Sequence, residues 1–340
     1  MLDFAFALLL ATAAAPTPVA DDGATEIPAD FVEHRIIAHP RTHDGEVLNL
    51  WVDTGGGGGP GMYLLTDAAA ERLGLQTRRS QSGAESLLVA APPRFAPGAA
   101  LPASGSGQAT ALVIPDAAFN TAHDGQRYDG MLGAGYLAGD FETPRNIWTF
   151  DYPGGRLVLQ SSKWRAAPDA HATPLHFPTD AQGRRGSGFP RIVVEIDGQP
   201  LSLLLDTGAT GFPTPASNTA QGGTPSVRAT SFITSARLER WHREHPQWRL
   251  VEDADRMRIG GKAMRAIEVP SIAIAGWTTG LVWFTERPDK NFHEFMSSMM
   301  DARVDGALGG NALAPFVMTV DYGRAQGWFE CARGCRAAER

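Results

Sequence analysis

Cysteine is almost missing from this 340-residue chain: there are two, Cys331 and Cys335, both close to the C-terminal end. Two thiols cannot build the usual four-ligand structural zinc site. A bond between them closes a loop too small to hold a fold together, although such a local staple is compatible with an oxidising compartment. Clusters of Lys and Arg are missing too. With a formal net charge of −7, the chain lacks the basic surface that a phosphate backbone requires, which excludes nucleic acid as a partner. The apolar run near the start, Phe4 to Ala15, is too short for a bilayer but suits the centre of an export signal. Ala13, Ala15 and Ala20 offer cleavage points. Residues 1–20 therefore read as a signal peptide, and the protein as periplasmic or secreted with no integral membrane segment in the mature chain. The start is atypical: no Lys or Arg precedes the run, and Asp3 has the wrong sign.

Several familiar chemistries lack their motifs. The glycine run Gly55 to Gly59 is not followed by Gly-Lys-Ser/Thr, so it is no phosphate loop, and Gly260-Gly261-Lys262 lacks the upstream glycine of one. His242-Arg243-Glu244-His245 is not the H-E-x-x-H arrangement and reads as a solvated helix face. Arg185 precedes Gly186-Ser187-Gly188, so there is no G-x-S-x-G elbow. No cofactor and no metal are expected.

What is present is glycine (38), proline (24) and many short apolar runs, a pattern of turn-rich β structure rather than long helices. The length suggests about two domains, and the chain repeats itself in that sense. Asp44-Gly45 precedes Glu46–Val52 and then Asp53-Thr54-Gly55; Asp197-Gly198 precedes Gln199–Leu205 and then Asp206-Thr207-Gly208. Apolar stretches before each turn, around Ile36-Ile37 and Ile192-Val193-Val194, complete two hairpins. Each D-T-G thus falls where a buried strand runs into a loop. Downstream, Asp129-Gly130-Met131-Leu132-Gly133 parallels Asp305-Gly306-Ala307-Leu308-Gly309, and Thr149-Phe150-Asp151-Tyr152 parallels Thr319-Val320-Asp321-Tyr322.

Two aspartates at equivalent sites of two related lobes point to paired-carboxylate chemistry. Two carboxyls held close cannot both ionise, so one is a base and the other an acid. Asp53 and Asp206 are the candidate catalytic pair. Thr54 and Thr207 are placed to hydrogen-bond across the boundary, and Gly55 and Gly208 let the chain turn sharply. The other repeated aspartates, Asp129, Asp305, Asp151 and Asp321, each stand beside turn or strand-end signals and read as structural.

These residues resemble the retropepsin and pepsin-like aspartic proteases, particularly bacterial retropepsin-like proteins with a signal peptide. The resemblance spans about Phe31 to Glu330 and rests on Val52-Asp53-Thr54-Gly55, Leu205-Asp206-Thr207-Gly208-Ala209-Thr210, Met131-Leu132-Gly133 and Ala307-Leu308-Gly309. It implies an all-β fold of two related β-barrel-like lobes with a few short helices and a central cleft. It also implies endopeptidase activity on a peptide or protein substrate, with Asp53 and Asp206 holding the water. Thr54 and Thr207 would interlock, and Gly133 and Gly309 would buttress the motif loops. Both halves lie in one chain, so a monomer suffices.

The expected organisation is an N-terminal lobe at 27–162, a linker at 163–188, a C-terminal lobe at 189–330 with an insertion near 224–302, and a tail at 331–340. Helices are expected over Thr66–Leu73, Ser235–His245 and Asp289–Ala302. A covering flap would lie between Leu75 and Pro115, where there is no Tyr, with Gly98–Ile114 as candidate. The aromatic and Met cluster from Trp277 to Met300 reads as core, or else as an adaptable ligand wall. The five glycines after Asp-Thr make the Asp53 loop costly to order. The alternative is therefore a catalytically weak or inactive protein of the same fold, binding peptide or a partner in the cleft.

Overall fold

The computed structural model describes residues 23–82, 85–98, 101–102, 110–120 and 126–337. The expected signal peptide, residues 1–20, lies outside them, as do 99–100 and 103–109 of the candidate flap. Among the described residues no helix is long and apolar enough to cross a membrane.

The fold is mainly β, built as two related lobes, and its logic is easiest to follow from the strand that ends at each D-T-G. In the second half, Arg191–Ile196 alternates buried Ile192, Val194 and Ile196 with exposed Val193 and Glu195, the period-two pattern of a strand with one face in the core. It pairs with Gln199–Leu205 through Asp197 and Gly198, both at positive φ (52° and 68°), as a two-residue hairpin turn demands. The first half differs. Arg35–Ala38 pairs with Leu50–Val52 at only two positions, Ile37 with Trp51 and Ala38 with Leu50. Pro40, two residues on, has no N–H to offer a ladder, and the segment from Glu46 is strand only over Leu50–Val52.

Each D-T-G strand then pairs in parallel with its D-G-apolar-Leu partner: Leu50–Val52 with Gly130–Leu132, and Gln199–Leu205 with Gly306–Leu308. Antiparallel to these partners run Met62–Thr66 and Ser231–Thr234. A helix follows each, Asp67–Arg72 and Ser235–Glu244, then a hairpin, Thr77–Ser82 with Glu85–Ala90 and Leu250–Ile259 with Lys262–Val269. The Thr66 hydroxyl caps the first helix by accepting from Ala69 N at 3.1 Å. The third expected helix is irregular, a wide turn at Asn291–Phe295 continuing into a 3-10 turn at Met296–Met299.

Most of 224–302 is therefore counterpart, not insertion. The second half gains its length through a longer helix and hairpin, an added helix Pro215–Gln221, the short strands Ile272–Ile274 and Trp277–Thr279, and the turns at 291–299. The expected flap is corrected likewise. Thr110–Ile114 is a strand of the first lobe's sheet, parallel to Met62–Thr66, and the hairpin of this region is Thr77–Ala90.

A six-stranded sheet joins the halves in the order Thr25–Ile27, Arg156–Leu159, Ile147–Asp151, Phe316–Asp321, Gln326–Cys331, His171–Pro174. Its centre is Thr149 opposite Thr319, and their hydroxyls lie 2.8 Å apart. Every strand of this sheet on one side of that pair has its counterpart on the other, so a pseudo-two-fold axis passes through it. His171–Pro174 falls inside the stretch expected as linker, which is thus partly sheet. The Asp151 and Asp321 carboxyls accept from the Gly154 and Arg324 backbone N–H groups, the turn role expected of them. Cys331 and Cys335 form a disulfide in the tail.

One apolar core runs through both halves, from Ile36, Val52 and Leu132 through Trp148, Phe150 and Phe316 to Leu203, Leu205 and Leu308. A buried ion network braces the second lobe. The Glu286 side chain, 0% exposed, takes two bonds from Arg265 (2.8 and 2.9 Å) and one from Lys262 Nζ at 3.1 Å. Burial works to raise the Glu286 pKa, but hydrogen bonds from Arg265, Ser235 and Lys262 outweigh it and hold the carboxyl at about 2. That depression corresponds to about 3 kcal/mol of stability. It is fully present above the ordinary carboxylate range and is lost as pH falls toward 2. Arg265→Ala is expected to cost about 3 kcal/mol at neutral pH, because it leaves a buried charge underpaired. Adding Glu286→Gln should return part of it, measured by denaturant unfolding of the single and double variants.

Candidate active site

Asp53 leaves the end of Leu50–Val52, and its backbone N–H donates to Leu132 O at 3.0 Å; Asp206 leaves Gln199–Leu205, and its N–H donates to Leu308 O at 3.0 Å. The repeated Leu-Gly elements thus set the height of both aspartates. Gly133 and Gly309 follow those leucines where nothing but hydrogen fits. A Cβ at Gly133 would collide with the Gly57 carbonyl, and one at Gly309 with the Thr230 carbonyl.

The threonines interlock symmetrically. Thr54 N donates to Thr207 Oγ1 (3.1 Å) and Thr207 N to Thr54 Oγ1 (3.0 Å). Each hydroxyl then donates into the opposite strand, Thr54 to Leu205 O at 2.6 Å and Thr207 to Val52 O at 3.0 Å. All four groups are buried, so each bond satisfies atoms that water cannot reach.

The carboxyls are caged in the same crossed manner. Asp53 Oδ1 accepts from Gly55 N at 2.8 Å, and Asp206 Oδ1 from Gly208 N at 3.0 Å. A Cβ at Gly55 would stand 2.6 Å from the Asp206 carboxyl carbon, and one at Gly208 closer still to that of Asp53. Each D-T-G glycine is therefore the floor under the other lobe's aspartate, which is why it carries no side chain. The two carboxyls hydrogen-bond to each other. Both are half-buried.

Burial pushes both pKa values up. For Asp53 the rise is opposed by the hydrogen bond with Asp206 and by the N–H groups of Gly55, Gly56 and Gly208. Asp206 is raised well above the usual carboxylate range by burial, by the Asp53 charge and by their shared hydrogen bond. A pair so placed binds one proton between its members across an extended pH range. Because the folded pKa values are raised, the native state holds this proton when the unfolded chain has lost it. The sign follows: stability from these groups falls as pH rises from about 4, the ordinary aspartate value, through the raised ones. Asp206→Asn is expected to remove that slope, so its melting temperature relative to the parent should increase between pH 4 and 7 in a thermal-melt series.

The glycine run is not loose. Gly56 N donates to Asp53 O at 3.1 Å, Gly56 O accepts from Ala134 N at 2.8 Å, and Gly61 N donates to Gly135 O at 3.0 Å. The run lies backbone to backbone on 133–135, an approach that side chains would prevent. The expectation of a floppy Asp53 loop is corrected accordingly.

Two supporting residues, Ser231 and Asn311, left no repeat signal. Ser231 Oγ accepts from Gly309 N (3.0 Å) and donates to Asn311 Oδ1 (2.9 Å). Tyr152 and Tyr322, from the T-apolar-D-Y repeats, are buried, and burial raises both hydroxyl pKa values. Asp206 adds to the rise for Tyr152 and Asp53 for Tyr322, each within electrostatic reach of the opposite lobe. Asp129 accepts from Asn49 N and pairs with Arg72, and Asp305 pairs with Arg237 and His293, structural roles in both lobes. Among the described residues no three His, Cys, Asp or Glu side chains cluster so as to hold a metal ion.

No protein-family model matches the chain, and no curated protein matches its sequence. Solved structures similar to it include the aspartic proteinase from Irpex lacteus, 11% identical with a TM-score of 0.48 over 92% of this chain and 98% of that one. Basic 7S globulin from soybean is 10% identical with a TM-score of 0.48 over 92% of this chain and 95% of the other.

Proposed function

We propose that the protein is an aspartic endopeptidase whose base and acid are Asp53 and Asp206. The observation that carries this is the crossed cage: two half-buried carboxyls in mutual hydrogen bond, each seated on the glycine of the other lobe's loop. Backbone N–H groups reach both carboxyls, those of Gly55, Gly56 and Gly208 on Asp53 and those of Gly208 and Ala209 on Asp206, while burial raises both. One proton is shared, so one carboxyl, Asp53 in the sequence of steps below, is the base and its partner the acid.

A water between them gives a proton to Asp53 while its oxygen bonds to the substrate's carbonyl carbon, and Asp206 gives its proton to the carbonyl oxygen. The tetrahedral diol collapses as the C–N bond breaks. One hydroxyl proton returns to Asp206, the proton on Asp53 passes to the leaving nitrogen, and a carboxylic acid and an amine result. The dyad ends as it began. The crossed threonines fix the carboxyl spacing, and misplacement by about 1 Å costs on the order of 100-fold in rate.

The test is incubation of the purified protein with a diverse peptide mixture from about pH 3 to 7, the range in which such dyads share a proton, with new termini read by mass spectrometry. Cleavage is expected at mildly acidic pH, inhibited by a peptide carrying a transition-state-like hydroxyl in place of the scissile amide. Peptide binding without any cleavage would reject the enzyme reading in favour of a binding protein, the alternative that the tied-down glycine run weakens.

A further inference from the structure

The hairpin before Asp53 reaches out of its own lobe. Ala29–Val32 and Arg35–Ala38 pair with Val32 opposite Arg35, so Glu33 and His34 form a two-residue turn. Both stand in the left-handed region, at φ 50° and 61°. Asn-Gly is the usual choice for such a turn, and two larger residues keep that backbone only where their surroundings over-determine it. Those surroundings are the second lobe. Ala229 N donates to Glu33 O at 2.9 Å. The His34 carbonyl rests on Gly310, where a Cβ would stand 2.1 Å from its oxygen. Glu33 and His34 are otherwise exposed, so main chain makes the contact. Resting on the peptidase reading, we infer that this turn is a strut that sets the spacing of the two catalytic carboxyls, with Glu33, His34 and Gly310 as positioning residues.

Each end of the strut leads to one aspartate. At its root, Arg35–Ala38 is laddered to Leu50–Val52 through Ile37 opposite Trp51 and Ala38 opposite Leu50, and Asp53 is the next residue. At its tip, Ala229 pairs with Thr210, and Thr230 N donates to Ala209 O at 3.0 Å. The strand that the tip touches is thereby tied to the Asp206 loop. Gly310 follows Gly309, which leaves room for the Thr230 carbonyl, and Leu308 before it accepts from Asp206 N. A displacement of the tip therefore bears on the segments that hold Asp206, while the root stays with the strand that carries Asp53.

The internal repeat gives a second sign. Gly133-Ala134 of the first lobe stands where the second has Gly309-Gly310. The first lobe accommodates a methyl group there, so the local backbone does not demand glycine, and Gly310 is not in the left-handed region. What demands it is the His34 carbonyl. The spacing matters because the pair shares one proton. Close approach lowers the first apparent pKa of the pair and raises the second, and separation brings the two together. A methyl group at 310 needs roughly 1 Å of further room to reach ordinary contact distance. Widening a pair from about 3 to about 4 Å at an effective dielectric constant of about 20 narrows the gap by about one pH unit.

The experiment compares the parent with Gly310→Ala and with Ala229→Pro, which has no N–H for Glu33 O. Two readouts are taken, and melting temperatures check the fold. One is kcat and KM for a single peptide substrate from about pH 3 to 7, the range in which such dyads share a proton. The other is the apparent pKa values of the dyad, by NMR titration of protein labelled with carbon-13 at its aspartate carboxyls. In both variants the acid limb of kcat/KM should move up and the upper limb down, closing the gap by about one pH unit. At the optimum kcat should fall roughly 10- to 100-fold with KM within a fewfold. A contact that serves stability alone would lower the melting temperature and leave both limbs in place, and that result in a folded variant overturns the inference. Should one variant not fold, the other decides; loss of fold in both makes the contact structural and overturns it too. If the parent cleaves nothing but the carboxyl titrations converge in the variants, the strut stands and the peptidase reading falls. If nothing is cleaved and the titrations do not move, both fall.

Discussion

Asp206→Asn is expected to lower kcat for peptide cleavage by about 10²–10⁴-fold while leaving KM within a fewfold, and Asp53→Asn to do the same. Each carboxamide keeps the shape of the carboxyl and the hydrogen bond from its own loop glycine. What it loses is the proton transfer, which a positioned acid or base supplies at about 10²–10⁴-fold. The pair works as one unit, so the double variant should be scarcely slower than either single, the non-additivity expected of residues sharing one step. The measurement is steady-state kinetics on one peptide substrate at the pH of best activity. Cleavage surviving either single substitution would remove Asp53 and Asp206 from the reaction. The same variants separate chemistry from folding, because the native structure pays for its raised carboxyl pKa values at neutral pH and the amide variants should melt higher there.

Thr207→Val is expected to destabilise the protein by about 2–6 kcal/mol. The substitution keeps the volume but deletes Oγ1, which accepts from Thr54 N and donates to Val52 O. Two buried backbone groups of the other lobe lose their partner, at about 1–3 kcal/mol each. Thr54→Val should cost a similar amount by the mirrored pair of bonds to Thr207 N and Leu205 O. Thr207→Ser keeps the hydroxyl and should recover most of the loss. Denaturant unfolding measures the stability. Activity should fall along with it, since the same bonds hold the two carboxyls at a common spacing. Near-parent stability in Thr207→Val would mean that the interlock contributes nothing beyond what water or neighbours replace.

How much of this was legible beforehand depends on whether a feature was repeated. The D-T-G pair, the leucines that hold its height and the T-apolar-D-Y strands occur twice, and symmetry made them visible. Thr66 and Gly74 marked a helix because capping is local. Ser231 and Asn311 serve one lobe only, so no comparison between halves could have exposed them. The Glu286 network was hidden for another reason. Arg265 and Lys262 face it from a neighbouring strand, and strand pairing across some twenty residues is not written in the local pattern. The glycine run misled, because glycine signals both freedom and close approach, and only the packed neighbour tells which.

The sequence by itself determined the duplication, the two strand-to-loop aspartates and the threonines beside them, since these follow from residue order and the period of buried strands. Tertiary structure alone decided that Thr149 meets Thr319 on the axis, and that each motif glycine lies beneath the opposite carboxyl. It also decided that the run after Asp53 is clamped on 133–135 instead of free. Those are contacts between segments more than seventy residues apart in the chain. They arise because both lobes must bury one shared core, a constraint that no local stretch of residues contains.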